Sequence, residues 1–199
     1  MEVELEKKQK EVEGIESGLI RIGTISSGSC HWLPSLMYKC KKIYPNVTFE
    51  LFQGEYTNIS DGVMNGTIDF GFVNPHATTN LHSILLTQDE MHVILPQNHP
   101  LAKNEYIDLK TIQAEPFILL NEGDYNEVLD IFHSQGLSPN IQYNVHDDYT
   151  IMAMVEQGLG ISILSNLVLT RCPYDIIKKS LSPYILLRYE SQSAGAGKM

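Results

Sequence analysis

Positive charge is scarce in this chain. Its 199 residues include 14 Lys and Arg against 24 Asp and Glu, which gives a formal net charge of -10. The basic pairs Lys41-Lys42 and Lys178-Lys179 are too short to follow a nucleic-acid backbone, which requires clustered Lys and Arg. We therefore do not expect this chain itself to grip DNA or RNA.

Cysteine and long apolar runs are also scarce. Cys30, Cys40 and Cys172 lack the spacing of metal ligands, so we predict no metal site and no cofactor. No apolar run approaches the ~20 residues of a membrane span, so no membrane partner is expected. The charged start, MEVELEKKQK, lacks the apolar core of a signal peptide. Together these absences favour a reducing cytoplasm.

Catalytic motifs are missing as well. The sequence has no nucleophile elbow, no phosphate-binding Walker loop and no HExxH zinc motif. Its seven His are scattered, and His31 and His133 fall in predicted helices without a spaced partner. We therefore predict no catalytic residues and a binding protein, not an enzyme. Thiol-based redox sensing at Cys30 stays open as an alternative.

What the chain does contain is a regular alternation of strands and helices. A strand around Ile22, a helix over 32–43 and a strand over 47–52 begin the first set, which ends with a strand over 68–73. A second set of similar rhythm covers 117–164. Such alternation is typical of an α/β fold with parallel strands, and its repetition predicts two lobes with a cleft between them.

Polar loops follow several of these strands. Ser26, Ser27, Gly28 and Ser29 lie between a strand end and a helix start, where open α/β folds bind ligands and free N–H groups favour an anion. Helix capping by serine is the alternative explanation of the same residues, and capping and binding are compatible.

Other strand ends carry polar residues but no Lys or Arg. A carboxylate ligand would therefore be held by helix N-termini and hydroxyl groups, without an Arg fork. Because acidic residues lie nearby, a neutral, zwitterionic or amine-bearing ligand is at least as plausible. The residues at these ends are Asn74, Glu122, Asp124, His146, Asp147 and Thr150.

Several motifs follow one another in a fixed order over residues 19–187. They are LIRIGTISSGSCHWLP, YPNVTFEL, GTIDFGFV, MHVILPQNHPLA, PFILL and MVEQGLGISILS. In this combination the chain resembles the effector-binding (regulatory) domain of the LysR-type bacterial transcription regulators. The resemblance implies an α/β fold of two Rossmann-like lobes, of the type 2 periplasmic-binding-protein kind, with an effector in the interlobe cleft.

The family's functional residues map onto this sequence. Its effector contacts fall on Ser26, Ser27, Gly28, Ser29, Asn74, Glu122, Asp124, His146, Asp147 and Thr150. Family dimers pair the first helix and the following strand of one subunit with a second-lobe helix of the other. That pairing implies a homodimer or tetramer whose interface includes Trp32, Leu36, Lys39, Val47, Phe49, Leu129 and Phe132.

The resemblance also divides the chain. Residues 1–17 match the end of a linker helix, 18–92 lobe I and 93–187 lobe II, and 188–199 are a hinge return or a non-native tail. The tail RYESQSAGAGKM predicts neither the closing strand nor the closing helix of the family. The family's winged helix-turn-helix is absent, so we expect contact with DNA only through that missing N-terminal domain.

The expected function is therefore the sensing of a small metabolite effector by a transcription regulator. Binding would shift the populations of two conformations for which the effector has different affinities. A stand-alone solute-binding protein of the same fold is the alternative, disfavoured by the missing export signal and the linker-like start.

Overall fold

Strands and helices alternate along the described chain. The computed structural model describes residues 17–77, 82–121 and 123–193. Among these residues no helix is long and apolar enough to cross a membrane. In chain order the elements are β1 (Ser17–Thr24), α1 (Ser26–His31), α2 (Leu33–Ile43), β2 (Asn46–Gln53), α3 (Tyr56–Met64), β3 (Phe70–Val73), β4 (His82–Pro96), a 3-10 turn (Pro100–Lys103), β5 (Tyr106–Ile107), α4 (Leu109–Ile112), β6 (Pro116–Leu120), α5 (Glu127–Ser134), β7 (Asn140–Val145), α6 (Asp148–Glu156), β8 (Ser162–Ser165), α7 (Asn166–Leu169), β9 (Ile176–Leu181) and β10 (Leu186–Ser193).

These elements pack into two compact units. The first holds the described residues up to Val73 with 82–84 and 191–193, and the remaining described residues belong to the second. The lobe I predicted from the sequence extends to residue 92, whereas 85–92 belong to the second unit. At the end of that stretch, Met91 and His92 begin the pairing of β4 with β8, and His92 begins its pairing with β9. The predicted linker helix, apart from residue 17, lies outside the described residues.

A parallel sheet forms the centre of the first unit. β1 pairs in parallel with β2 along its whole length and with β3 on its other side. Ile22, Leu33 and Phe72 form a buried cluster on this sheet. Ile59 of α3 lies directly over Gly71, where any added Cβ would overlap the isoleucine side chain. Glycine at this position therefore lets the helix approach the sheet closely.

The second unit combines antiparallel and parallel pairing. β4 pairs antiparallel with both β8 and β9, while β5 pairs in parallel with β9. β6 and β7 form a separate parallel pair. The helix α6 packs its apolar side into this unit's core. That core consists of Ile94, Ile118, Ile151, Met152, Val155, Leu164, Val168 and Leu169.

Two segments differ from the sequence prediction. Ser26–His31, expected to begin as a loop, forms a helix in which the Ser29 N–H donates to the Ile25 carbonyl at 2.9 Å. The prediction that the tail contains no strand is wrong for 188–193, which belong to β10.

The end of β10 is held in the first unit by a buried polar pair. The Ser60 hydroxyl donates to Gln192 Oε1 at 2.6 Å, and the two residues are 5% and 2% exposed. Burial of a polar group is stabilising only when it is hydrogen-bonded, so this contact fixes the position of the strand end on α3.

Replacing Ser60 by alanine tests that contact. Ser60→Ala removes the donor and leaves a buried amide oxygen with one partner fewer, so the free energy of unfolding should fall by about 1–3 kcal/mol. Urea denaturation followed by circular dichroism measures the change. Ser138→Ala removes an exposed hydroxyl and should stay within about 0.5 kcal/mol. Equal urea midpoints for Ser60→Ala and the parent protein would contradict the assignment.

Candidate functional site

The predicted serine loop forms the first turns of α1. Gln53 Nε2 donates to Ser26 Oγ at 3.0 Å, and Ser29 Oγ donates to Thr24 Oγ1 at 3.1 Å. The N-cap of this helix is Ile25, which makes no side-chain cap. The serines therefore tie α1 to the ends of β1 and β2 and do not cap it. Their predicted contact with an effector stays a prediction.

Close packing brings this helix onto the sheet. A Cβ on Gly28 would lie 3.1 Å from Thr24 Oγ1 and 3.2 Å from Phe72 Cδ2, so the glycine accommodates a tight approach. Ser27 beside it is buried. Trp32 meets Phe72 edge to face with ring centroids 5.5 Å apart. The backbone of this segment is therefore held firmly against the end of the sheet.

The start of α6 carries three of the predicted effector residues. Asp147 Oδ2 accepts hydrogen bonds from both the backbone N–H and the hydroxyl of Thr150, each at 2.7 Å. Helix capping is thus an observed role of Asp147. His146 and Asp124 are exposed, and Glu122 lies outside the described residues. Effector contact by any of them stays a prediction.

Asp148, the first residue of α6, is buried. Desolvation raises the pKa of its carboxyl to about 6, and the negative charge of Asp147 adds to the increase. The folded protein therefore binds a proton at this position more readily than the unfolded chain does.

A cavity of about 270 Å³ lies within the second unit. Its lining includes Asn74 and His76, one face of α5, and residues 185–188. Asn74 is the predicted effector residue found in this lining. Asp124, His146, Asp147 and Thr150, in the same unit, are not among its described lining residues.

Asn74 and Glu127 form the polar centre of this cavity. They are 2% and 5% exposed. Asn74 Nδ2 donates to Glu127 Oε1 at 3.0 Å, and Asn74 Oδ1 accepts from the backbone N–H of His76 at 2.9 Å. Glu127 Oε2 is buried and has no hydrogen-bond partner among the described residues. The carboxylate is thus oriented through one oxygen and able to accept a donor at the other.

Apolar and charged residues complete the lining. Met91, Ile131 and Leu187 supply apolar surface. Arg188 also lines the cavity, and its Nη2 lies 3.6 Å from Glu190 Oε1. The arrangement is typical of a ligand pocket, with mostly apolar walls and few polar groups that fix orientation.

Glu127 is the residue that the sequence argument missed. It opens α5, where an acidic side chain is ordinary because the helix dipole favours negative charge. Its separation of 53 positions from Asn74 hid the pairing, since no local pattern connects the two residues. Asn74 was predicted because ligands of open α/β folds bind beyond the carboxyl ends of the strands. No other sequence signal pointed to this cavity.

His92, Ser180 and Glu90 lie close together and have the residue types of a catalytic triad. Ser180 Oγ and Glu90 Oε1 lie 3.4 Å and 3.5 Å from the same nitrogen, Nε2 of His92. A catalytic triad instead places the acid on the ring nitrogen opposite the nucleophile. These residues also stand outside the described cavity lining. Within the described residues no group of three His, Cys, Asp or Glu is placed to hold a metal.

The predicted interface residues divide by exposure. Val47 and Phe132 are buried in their own units, so their side chains offer no surface to a partner. Leu36 is 54% exposed. The remaining predicted residues are Lys39, which is exposed, and Trp32, Phe49 and Leu129, which are half-buried.

Comparisons with known proteins agree on one family. A family model described as the LysR substrate binding domain matches residues 13–182. The HTH-type transcriptional regulator YvbU of Bacillus subtilis is 30% identical over 175 residues, which are 87% of this chain and 60% of that protein. The chain therefore spans about three fifths of that relative's length.

Solved structures share the fold. The CcmR regulatory domain of Synechocystis in complex with 2-PG superimposes with a TM-score of 0.81 at 21% identity, over 92% of this chain and 90% of that one. The BenM effector binding domain with benzoate gives 0.79 at 22% identity, over 91% and 85%. The predicted α/β, periplasmic-binding-protein-like fold is confirmed by these similarities.

The shifted pKa of Asp148 predicts a pH-dependent stability. Since its folded pKa of about 6 exceeds the unfolded value of 3.8, its contribution is most favourable below pH 3.8 and is lost as pH rises through about 6. The full loss amounts to about 3 kcal/mol at pH 7. Asp148→Asn should therefore raise the free energy of unfolding at pH 7 and lose its advantage near pH 4.

Urea denaturation at a series of pH values checks this prediction. Asp61→Asn, which neutralises an exposed aspartate, is the matched control and should show little pH-dependent difference from the parent. An advantage of Asp148→Asn that does not change between pH 4 and 7 would count against a titrating buried carboxyl.

Proposed function

Because this chain belongs to the LysR substrate-binding domain family, we propose that it is the effector-sensing part of a transcription regulator. A small-molecule effector binds it and shifts the balance between two conformations. Such a shift requires different affinities for the two conformations. The related CcmR and BenM structures hold 2-PG and benzoate, which supports a small-molecule ligand here.

The observation that carries this proposal is the cavity at Asn74 and Glu127. Its volume of about 270 Å³ lies just below the usual range for ligand pockets, roughly 300–1,000 Å³, so it suits only a small ligand. Its combination of apolar walls with an oriented buried carboxylate suits a small metabolite better than a macromolecule. Ser26, Ser27, Gly28 and Ser29 stay proposed effector contacts of the first unit.

The proposal assigns binding, and no catalysis, to this chain. The relative YvbU is a transcriptional regulator, and the His92 group lacks triad geometry. DNA contact belongs to a separate DNA-binding domain of the family, in keeping with the net charge of -10 here. A regulator of this kind acts in the cytoplasm, where bacterial DNA lies.

We also propose that the regulator is a homodimer or tetramer that pairs through α2 and β2. Several large apolar side chains on these elements are exposed, which is the usual mark of an interaction surface. Leu36 and Lys39 belong to it, with Phe49 at its margin. The exposed apolar residues are Leu36, Tyr38, Ile43, Leu51 and Phe52.

A metabolite panel with thermal unfolding tests effector binding. A ligand present at a hundred times its Kd should raise Tm by about 5–10 °C in a protein of this size. Ile131→Trp fills the cavity and should abolish that shift, whereas His133→Trp, at an exposed position of the same helix, should retain it. If no metabolite raises Tm, or if Ile131→Trp leaves the shift intact, binding at this cavity is refuted.

Charge placed on α2 tests the proposed pairing. Leu36→Asp should weaken self-association at least about tenfold, because it puts a carboxylate into an apolar contact. Light scattering coupled to size-exclusion chromatography measures the mass across a dilution series. Met64→Asp, at a similarly exposed apolar residue of α3, is the control and should leave the mass unchanged. Unaltered association of Leu36→Asp would exclude this surface.

A further inference from the structure

Glu127 presents a buried carboxylate oxygen that has no hydrogen-bond partner within residues 17–77, 82–121 and 123–193. Its Oε1 accepts from Asn74 Nδ2 at 3.0 Å, but no described residue donates to Oε2. A buried anionic oxygen without a donor is destabilising, and folded proteins retain few of them. Glu127 lines the cavity, so a ligand bound there lies beside this side chain.

The surrounding side chains leave that position to a ligand. Asn74 is occupied on both sides, since its amide donates to Glu127 and its carbonyl accepts from His76 N–H. The Arg188 guanidinium lies 3.6 Å from Glu190 Oε1, which attracts it toward a different carboxylate. The carboxylate of Glu127 is therefore held in one orientation by Asn74, and no ion pair joins it to a cation among the described residues.

The charge balance of the cavity favours a positive ligand. Asp130 lines it three residues after Glu127, so two carboxylates lie on the same face of α5. The positive charge of Arg188 is partly balanced by Glu190, so it attracts a ligand carboxylate less strongly. An ammonium group supplies three donors and a positive charge, which is the complement that an oriented carboxylate requires.

We propose that the effector is a small amine whose ammonium group donates to Glu127 Oε2 while its apolar body packs on Ile131 and Leu187. This inference rests on the proposed function and adds the chemical class of the effector. The volume of about 270 Å³ restricts the ligand to a small molecule, and the apolar walls favour a short aliphatic or single-ring body.

Matched probes test the class directly. Primary amines from ethylamine to benzylamine, each with its alcohol and its carboxylate analogue, are titrated into the parent protein by calorimetry. At least one amine should bind at least about tenfold more tightly than its alcohol and carboxylate analogues. Failure of every amine to exceed its analogues overturns the inference.

Isosteric variants assign the preference to one residue. Glu127→Gln keeps the shape and removes the charge, so it should weaken amine binding at least about tenfold. Glu127→Asp keeps the charge and should retain the preference for the amine with lower affinity, which covers the case in which the glutamine variant does not fold. Glu105→Gln, an exposed residue outside the lining, should behave as the parent.

The remaining outcomes separate this inference from the function it rests on. If a neutral or anionic metabolite binds and Glu127→Gln leaves its affinity unchanged, the amine class is wrong and effector sensing stands. Equal amine binding by the parent and Glu127→Gln also overturns the role of Glu127. If no metabolite of any class binds, both the inference and the proposed function fail.

Discussion

The hydrogen bond between Asn74 and Glu127 is the contact on which the candidate site depends. It joins the residue that follows β3 to the first residue of α5, at 3.0 Å and almost entirely out of solvent. A buried amide and a buried carboxylate each need a partner, so neither side chain is free to move away at low cost. The His76 N–H holds the amide in turn, and the cavity keeps its polar centre in one orientation.

Elements with a strong apolar period were predictable from the sequence. The parallel strands β1, β2 and β3 and the helices α2, α5 and α6 lie where the pattern of buried residues placed them, to within a few positions. β9 and β10 were missed because charged residues interrupt the alternation of apolar and polar side chains that marks a strand. In β10, Glu190 is buried at 7% exposed beside Tyr189 at 1%, and only the folded structure supplies the Arg188 contact that accompanies it.

The site was predictable only in part, because its residues come from distant segments. Asn74 was predicted from its position just beyond the end of a strand. Nothing in the local sequence distinguishes Glu127 from an ordinary acidic residue in the first turn of a helix. The same limit applies to the proposed interface. The apolar side chains of Val47 and Phe132 suited a partner surface equally well, and their burial within the chain depends on neighbours that sequence spacing does not reveal.

Glu127 and Asp148 are both buried carboxylates at the start of a helix, but their surroundings differ. Asp148 opens α6 beside Asp147, and it relieves its desolvation by holding a proton up to about pH 6. Glu127 opens α5 with an amide donor on one oxygen, no described donor on the other, and a place in the lining of the cavity. Both sites receive the same favourable helix dipole. Glu127 lines the described cavity and Asp148 does not, so the proposed ligand acts at Glu127, whereas burial of Asp148 makes the stability of the folded state depend on pH.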